Sequence, residues 1–350
     1  MSQQLFNMES QLKTLELSDI RGPKPLAHVY DHSLSHDLGK GLIRFLKLDL
    51  GFRVVEIDAH FSSNIELRLY DSDSFLYFIY VNEGIVYHKF EDQNKIAHVE
   101  ELSPAIVGSH KSSTNVLYLK NNRPVKLNMV CIDKEAFFKA HHPSPNLITT
   151  KTDDLLKSLN MLHDYLYLCS SNLNLSEKLR GIRTLERSEE FLDLLDLKSQ
   201  YQMVLGIYLN QFYQELYVKR VKSTLSNQEL QHVRKLTEYI VDNPEVQHTI
   251  KKLCFQSTLS PAKLQEGFKS MHGTTVSDFI RNVRLDKAKM LFSTTDYNVS
   301  EVVYMIGITS RSYFCKIFKK RFGISPSVYR NEHKDDISLN DLVTIEDNNS

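Results

Sequence analysis

The sequence predicts an α+β protein of several domains: a β-rich N-terminal domain resembling a sandwich or jelly roll, a helical middle region and an all-α C-terminal domain. Three observations predict this fold class. Short apolar runs separated by turn residues fill 51–132, leucines recur at spacings of three and four in 155–166, and one segment within 226–331 repeats at an offset of 50 residues. A length of 350 residues fits such a division into domains.

Overall composition excludes some classes of protein. With 41% hydrophobic and 25% charged residues, the chain has enough apolar material to form cores, so a mainly disordered protein is excluded. The first ten residues lack the charged and apolar regions of a signal peptide. The longest apolar run, 75–81, is shorter than the roughly 20 residues of a membrane helix. We therefore expect a soluble, cytoplasmic protein without a membrane partner.

Motifs for catalysis and metal binding are missing from the sequence. No P-loop, GxSxG or GxGxxG motif occurs, so we expect neither an enzyme nor a cofactor. The histidines are scattered, and none forms an HxH followed by a suitably spaced carboxylate, so no metal site is predicted. The cysteines form no CxxC pair, which indicates free thiols in a reducing compartment. They are Cys131, Cys169, Cys254 and Cys315.

Charge is unevenly distributed, although the 43 basic and 43 acidic residues cancel over the whole chain. Residues 226–330 contain 16 basic and 9 acidic residues, a net charge of +7, while 331–350 carry −5 and 1–225 carry −2. A basic domain is typical of a protein whose partner is a polyanion such as nucleic acid. A solvated charged surface is the other interpretation of the same charges.

The N-terminal domain is predicted over 1–150. Runs rich in Val, Ile, Tyr and Phe recur there about every ten residues, which is the rhythm of an antiparallel sandwich or barrel. Several aromatic residues of these strands either line a ligand pocket or belong to the core, and the sequence leaves both open. They are Tyr77, Phe78, Tyr80, Tyr87 and Phe90.

A helical region is predicted over 151–222. Its apolar residues recur at helical spacing, so each helix has an apolar stripe that needs a partner. Packing on the chain's own β domain and a homodimer interface both satisfy that need. The stripe residues are Leu155, Leu156, Leu159, Leu162 and Leu166, then Phe191, Leu194, Leu195 and Leu197, then Val204, Ile207, Tyr208, Gln211 and Leu216.

An internal repeat is the most informative feature of the basic segment. Residues 260–281 align with 310–330, and each copy has an apolar pair four residues apart, then Phe-Lys, then a glycine. Gly273 and Gly323 are placed to end a helix in the left-handed conformation. A shorter helix precedes each copy, so each unit is predicted to be a helix-turn-helix. The joining helix over 276–292 spans roughly 25 Å, so two recognition helices could enter major-groove segments about 34 Å apart.

The second copy contains Ser-Tyr-Phe at 312–314, Phe-Lys-Lys-Arg-Phe-Gly at 318–323 and Ser-Pro at 325–326, and the joining helix contains Arg-Leu-x-x-Ala at 284–288. These motifs make the segment resemble the DNA-binding domain of the AraC/XylS family of transcription regulators. The resemblance covers about 226–331, under a third of the chain. The chain departs from the family's usual residues at Cys254, Thr258, Val303 and Ile308.

The resemblance implies a bacterial, sequence-specific regulator that binds double-stranded promoter DNA, contacts RNA polymerase and acts as an activator. It also implies a homodimer and a small-molecule effector that would change how two DNA-binding domains are arranged. Two alternatives stay open: the N-terminal domain is a ligand-free dimerising scaffold, or Cys131 serves alkyl transfer in DNA repair. The acidic segment 332–350 is predicted to be disordered.

Candidate contacts to bases lie on the outer faces of the two recognition helices. The resemblance places Ala262, Gln265 and Glu266 at base-reading positions, where a methyl, an amide and a carboxylate suit thymine, adenine and cytosine. In the second copy, Phe314, Ile317 and Phe318 are expected inside the domain. Cys315 and three candidate base contacts then face outward. Those three are Arg311, Ser312 and Lys316.

Candidate contacts to phosphate are cations and hydroxyls beside these positions and at helix starts. Such contacts position a protein on DNA and make its affinity fall with salt. For each one, an ordinary solvated side chain is the alternative interpretation. They are Lys263, Lys269, Ser310, Lys319, Lys320, Arg321 and Ser325.

Overall fold

The computed structural model describes residues 12–17, 28–69, 75–108, 114–141, 154–155, 157–159, 165–183, 188, 190–218 and 225–331. The chain divides into two compact units, Met1–Asn227 and Gln228–Ser350. Two of the predicted features lie outside the described residues. They are the acidic segment 332–350 and the helix leucines Leu156 and Leu162.

Twelve strands occur among the described residues of the N-terminal unit, in two sheets. The five-stranded sheet has the order β1-β5-β10-β7-β8, and the seven-stranded sheet has the order β12-β9-β6-β11-β4-β3-β2. The strands are β1 (Leu12–Glu16), β2 (Val29–Ser33), β3 (Gly39–Asp49), β4 (Phe52–Phe61), β5 (Asn64–Arg68), β6 (Phe75–Glu83), β7 (Val86–Phe90), β8 (Ile96–Val99), β9 (Pro104–Gly108), β10 (Asn115–Leu119), β11 (Val125–Asp133) and β12 (Tyr165–Leu168).

One hydrophobic core lies between these sheets. It joins Ile65 and Leu117 of the five-stranded sheet to Ile57, Ile79 and Met129 of the seven-stranded sheet. Alternating side chains on each strand face inward, as expected for two packed sheets. The predicted β-rich N-terminal region is therefore confirmed.

Helices cover the outer face of the seven-stranded sheet. The N-terminal unit contains α1 (Lys134–His141), α2 (Leu173–Arg183) and α3 (Phe191–Tyr213), and a π-helical turn, Gln214–Val218, follows α3. From α3, the Tyr208 ring lies 5.4 Å from that of Phe78 in β6. Also in α3, the hydroxyl of Tyr201 accepts a hydrogen bond from the Asn128 side chain (2.8 Å) and donates one to Glu56. Because both faces of β6 are covered, its apolar run is continuous rather than alternating.

The predicted helix through Leu166 is wrong at that residue. Tyr165–Leu168 form β12, which pairs antiparallel with β9 at the edge of the seven-stranded sheet. Leu166 packs against the core, while Tyr167 on the opposite face has its ring 5.0 Å from that of Phe212 in α3. Alternating tyrosine and leucine fit a strand whose two central residues pack on opposite faces, and the partner strand supplies the backbone hydrogen bonds.

The C-terminal unit is helical throughout its described residues. Its helices match the predicted repeat, with a final helical segment at 326–331. The helix that opens the unit buries Leu230, Val233, Leu236 and Ile240. The helices are α4 (Asn227–Asp242), α5 (Ile250–Ser257), α6 (Pro261–His272), α7 (Val276–Thr294), α8 (Val299–Met305) and α9 (Arg311–Phe322).

Across the described residues of both units, no helix is long and apolar enough to cross a membrane. Nor does that part of the chain bring three His, Cys, Asp or Glu side chains together as a metal site.

Candidate nucleic-acid interface

The first helix-turn-helix unit is α5 and α6. Thr249 caps α5 by accepting a hydrogen bond from the backbone N–H of Lys252, and Ser260 caps α6 in the same way through Lys263. Between the helices Thr258 adopts a left-handed conformation with φ of 58°, and Gly273 ends α6 with φ of 69°. The predicted helix end at Gly273 is confirmed.

The second unit is α8 and α9. Asn298 and Glu301 form a reciprocal capping box at the start of α8, and Ser310 caps α9 through the backbone N–H of Tyr313. Gly323 ends α9 with φ of 83°, as predicted. Each recognition helix therefore has defined ends that local side chains fix.

Aromatic residues hold α9 against the rest of its unit. Phe314 and Phe318 are fully buried, with ring centroids 5.4 Å apart, and Phe318 also contacts Phe292 of α7. Their predicted inward orientation is confirmed, and Val303 fits the same core. Cys315, predicted to face outward, is half-buried against this core, so that expectation is wrong.

The candidate residues of α6 are largely engaged within the protein. Oε1 of Gln265 accepts a hydrogen bond from the backbone N–H of Val276 at 3.2 Å, so it helps cap α7. Lys263 forms an ion pair with Glu229 of α4. Glu266 is half-buried, whereas Ala262 and Lys269 are exposed. Pairing of Gln265 with adenine through both amide atoms would require the contact to Val276 to break.

The candidate residues of α9 are more available. Arg311, Ser312, Lys316, Lys319 and Lys320 are all exposed along this helix. Nη1 of Arg311 lies 3.1 Å from the Ser300 hydroxyl, a surface hydrogen bond that solvent or DNA can replace. The outer face of α9 is therefore a cationic strip with hydrogen-bond donors, which suits phosphates and guanine.

Besides Lys263, three phosphate candidates have partners in the fold. Nη2 of Arg321 lies 2.8 Å from both carboxylate oxygens of Asp286 in α7. The hydroxyls of Ser310 and Ser325 accept hydrogen bonds from the backbone N–H groups of Tyr313 and Val328, respectively. Asp286 and Glu229 were not recognised from the sequence as partners of candidate cations, because each lies more than 30 residues from its cation.

Beside the start of α9 lies an open cleft of about 690 Å³. The loop between α4 and α5 forms one wall through Glu245 and Gln247, and α8 forms the other through Val303 and Tyr304. The guanidinium of Arg284 in α7 reaches the same loop and donates hydrogen bonds to its backbone. Burial lowers the pKa of Arg284, and the charge of Glu245 opposes that change.

The aromatic residues considered for a ligand pocket lie mostly in packed regions. Tyr77 and Phe90 belong to the core between the sheets, and Phe78 and Tyr80 are buried on the opposite side of the seven-stranded sheet. Tyr87 is half-buried, with its ring 5.2 Å from that of His98.

Cys131 is fully buried in the same core. A thiol in an apolar strand lacks the exposure that a reactive cysteine needs, which argues against alkyl transfer at this residue.

Comparison with known proteins gives a family match within the C-terminal unit. Residues 253–332 match the family described as "Helix-turn-helix domain". The chain is 34% identical over 97 residues to the HTH-type transcriptional regulator MtrA of Neisseria gonorrhoeae, covering 28% of this chain and 32% of that protein. It is 32% identical over 99 residues to the arabinose operon regulatory protein of Escherichia coli, covering 28% and 34%.

Among solved structures, the C-terminal domain of AraT, a response regulator from Geobacillus stearothermophilus, is 27% identical. It aligns over 31% of this chain and 88% of that chain, with a TM-score of 0.28. The matched part of the chain spans about a third of the length of the two curated relatives.

Proposed function

From the premise that the C-terminal unit contains a helix-turn-helix domain of the AraC type, we propose that the chain is a sequence-specific DNA-binding transcription regulator. The observation that carries the proposal is the exposed cationic face of α9, held by capped ends and a buried aromatic core. The double-stranded DNA of a promoter is the proposed partner, because its phosphates attract the cations of α9 and its base edges accept hydrogen bonds from the donors there.

The experiment that tests this proposal is selection of bound sequences from random duplex DNA by the full-length protein and by Arg311→Ala. We expect the wild type to enrich a motif of two blocks about one helical turn apart. Arg311→Ala should lose preference at one position, at a cost of about 1–3 kcal/mol. Uniform, salt-sensitive binding without an enriched motif would contradict sequence-specific reading by the protein without an effector.

We further propose that the N-terminal unit controls the arrangement of two copies of the chain. Apolar side chains on the outer face of α3 support a homodimer, since Phe191 and Leu192 are each 74% exposed, Met203 is 52% exposed and Leu195 is 50% exposed. An effector would act by favouring one arrangement of the two DNA-binding units. Activation through RNA polymerase and a jelly-roll-like arrangement of the sheets belong to the same proposal.

A ligand-free dimerising scaffold is the second candidate for the N-terminal unit. The burial of Tyr77, Phe78, Tyr80 and Phe90 favours it, because side chains committed to packing cannot line an open pocket. A thermal-shift screen of small metabolites separates the two roles, since a ligand of the native state must raise the melting temperature. A saturable shift supports the sensor.

A further inference from the structure

The loop between α4 and α5, residues 243–249, contacts both helix-turn-helix units. We call it the bridging loop. From the middle of α7, Arg284 donates from Nε to the carbonyl of Pro244 (2.8 Å) and from Nη2 to the carbonyl of Val246 (3.0 Å). The loop thereby ties the start of the first unit to the helix that joins the two units.

The other side of the bridging loop reaches the turn of the second unit. Nε2 of Gln247 donates to the carbonyl of Gly307 at 3.0 Å. A Cβ added at Gly307 would overlap the backbone carbonyl of Glu245, so the two backbones touch where only glycine fits. Gly307 also has φ of 69°, which glycine adopts without strain.

The geometry of these contacts resists deformation. A guanidinium is planar and presents its donors in a fixed fork, so two carbonyls bound to Arg284 define both a distance and an angle. If the side chain were removed, two partly buried carbonyls would lose their partner. Within the loop, His248 bonds the carbonyl of Asn243 at 2.7 Å, and its ring packs 5.4 Å from that of Tyr239 in α4.

We propose that the bridging loop fixes the separation and rotation of the two recognition helices, with Arg284, Gln247 and Gly307 as its positioning residues. The proposal rests on the proposed function in one respect, that α6 and α9 both meet DNA. A helix such as α7 holds two units apart but leaves each free to pivot at its ends. A second connection, from the start of α5 to α7 and the second turn, removes that freedom.

The consequence for recognition is a strict requirement on the spacing of the two DNA blocks. Two rigidly connected modules bind cooperatively only when the spacing of the two DNA blocks equals the separation of the modules. A flexible connection tolerates other spacings but gives lower affinity. The first test therefore uses the two-block sequence enriched by the wild type, rebuilt with 2 base pairs added or removed between the blocks. The measured quantity is the ratio of affinities for native and altered spacing.

We expect the wild type to prefer native spacing by about tenfold or more, as rigid bivalent binding predicts. Arg284→Lys and Gly307→Ala should reduce that ratio to about threefold or less, mainly by losing affinity for the native spacing. Gln247→Ala removes only one exposed hydrogen bond and leaves no buried cavity, so we expect this variant to fold. It provides the test if Arg284→Lys does not fold. An unchanged ratio in all three variants would overturn the proposal.

Arg281→Lys is the matched control. Arg281 lies one turn before Arg284 on α7 but pairs with Asp278 at the surface, 2.6 Å away. If Arg281 contacts a phosphate, its replacement lowers affinity at every spacing and leaves the ratio unchanged. A variant that merely destabilises the fold behaves in the same way, so the ratio isolates positioning.

A second measurement needs no DNA. Spin labels at Lys269→Cys in α6 and Lys320→Cys in α9, with Cys254→Ser and Cys315→Ala removing the half-buried thiols, report the distance between the recognition helices of the full chain. We expect a narrow distribution that broadens with Arg284→Lys. A broadened distribution without any enriched DNA motif would retain the bridging loop and contradict sequence-specific reading of DNA by the protein without an effector. Equal distributions would refute the bridging loop.

Discussion

Gly267 in α6 lets two helices of the C-terminal unit approach closely. A Cβ at this position would overlap the γ-methyl groups of Val233 in α4. The β-branched side chain of Val233 cannot move aside without shifting one of the helices, because Val233 is fully buried.

Replacing Gly267 by alanine tests that packing. Alanine raises helix propensity by about 1 kcal/mol, and overpacking costs about 1–3 kcal/mol, so we expect a net loss of stability. Chemical denaturation of the full chain measures the change in the free energy of unfolding. Val233→Ala should partly rescue the variant. The control is Gly181→Ala in α2, where no atom of the described residues outside its own helix lies within 4 Å of an added Cβ, and a small gain is expected.

His88 in β7 makes the stability of the N-terminal unit depend on pH. His88 is buried, and its Nε2–H donates a hydrogen bond to Oδ1 of Asn115 at 2.9 Å. Burial lowers the pKa of His88 from 6.5 to about 4, and the hydrogen bond from the ring opposes this only in part. The folded state therefore prefers the neutral ring.

Because the folded-state pKa lies below the unfolded value, the stability contributed by neutral His88 is complete above about pH 6.5 and is lost as the pH falls towards 4. The full difference corresponds to about 3 kcal/mol. Hydrogen exchange of the β7 amides from pH 7.5 to 4.5, corrected for intrinsic rates, should show this loss. His88→Gln should flatten the profile, and the exposed control His60→Gln should not. If the protection of the β7 amides declined equally in the wild type and in both variants, groups other than His88 would be responsible for the loss.

At the scale of the element, the two recognition helices differ in how many of their polar groups are free to meet DNA. In α6, Lys263 and Gln265 are bound to other helices, whereas the cations of α9 other than Arg321 project outward. Arg321 is the informative exception, since Asp286 neutralises it from α7. Affinity should therefore depend more on α9 than on α6.

The salt dependence of DNA binding tests this difference. Lys320→Ala should reduce the slope of log affinity against log salt by about 0.9, the value for one lost phosphate contact. Arg321→Ala should reduce it less, because its charge is already paired. Asp286→Asn should increase the slope by releasing Arg321. Titration of one selected duplex at several salt concentrations measures all three, and equal losses for Lys320→Ala and Arg321→Ala would refute the pairing argument.

At the scale of the whole molecule, the two units divide the charge and the apolar surface between them. Residues 226–330 carry a net charge of +7, and α3 of the N-terminal unit exposes a row of large apolar side chains. Joining two copies through α3 would present two DNA-binding units at once, and linked sites bind with higher apparent affinity than separate ones.

The proposed dimer predicts a concentration-dependent molecular mass. Leu195→Glu should weaken association by about tenfold or more, because it places like charges in an apolar interface. Sedimentation equilibrium of the full chain measures the change. Leu50→Glu is the matched control, since Leu50 is also a highly exposed leucine of this unit but lies outside α3. A monomeric wild type, or equal behaviour of the two variants, would contradict an interface on α3.

Local chemistry explains which parts of the fold were predictable. The helix ends at Gly273 and Gly323 depend on hydrogen bonds and dihedral angles within a few residues, so the pattern predicts them. The burial of Phe314 and Phe318 follows from helical periodicity alone. Leu166 was misassigned because a leucine spacing that suits a helix also suits a strand once a partner strand is present.

The sequence by itself determined the tandem helix-turn-helix, its capped ends and the faces of its recognition helices, because these depend on neighbours along the chain. Only the tertiary structure decided which candidate residues remain available. Gln265 caps α7 through a residue 11 positions away. Arg321 pairs with Asp286, 35 positions away, and Arg284 holds the bridging loop through Pro244, 40 positions away. Such contacts depend on how helices pack, and no periodicity or local propensity encodes them.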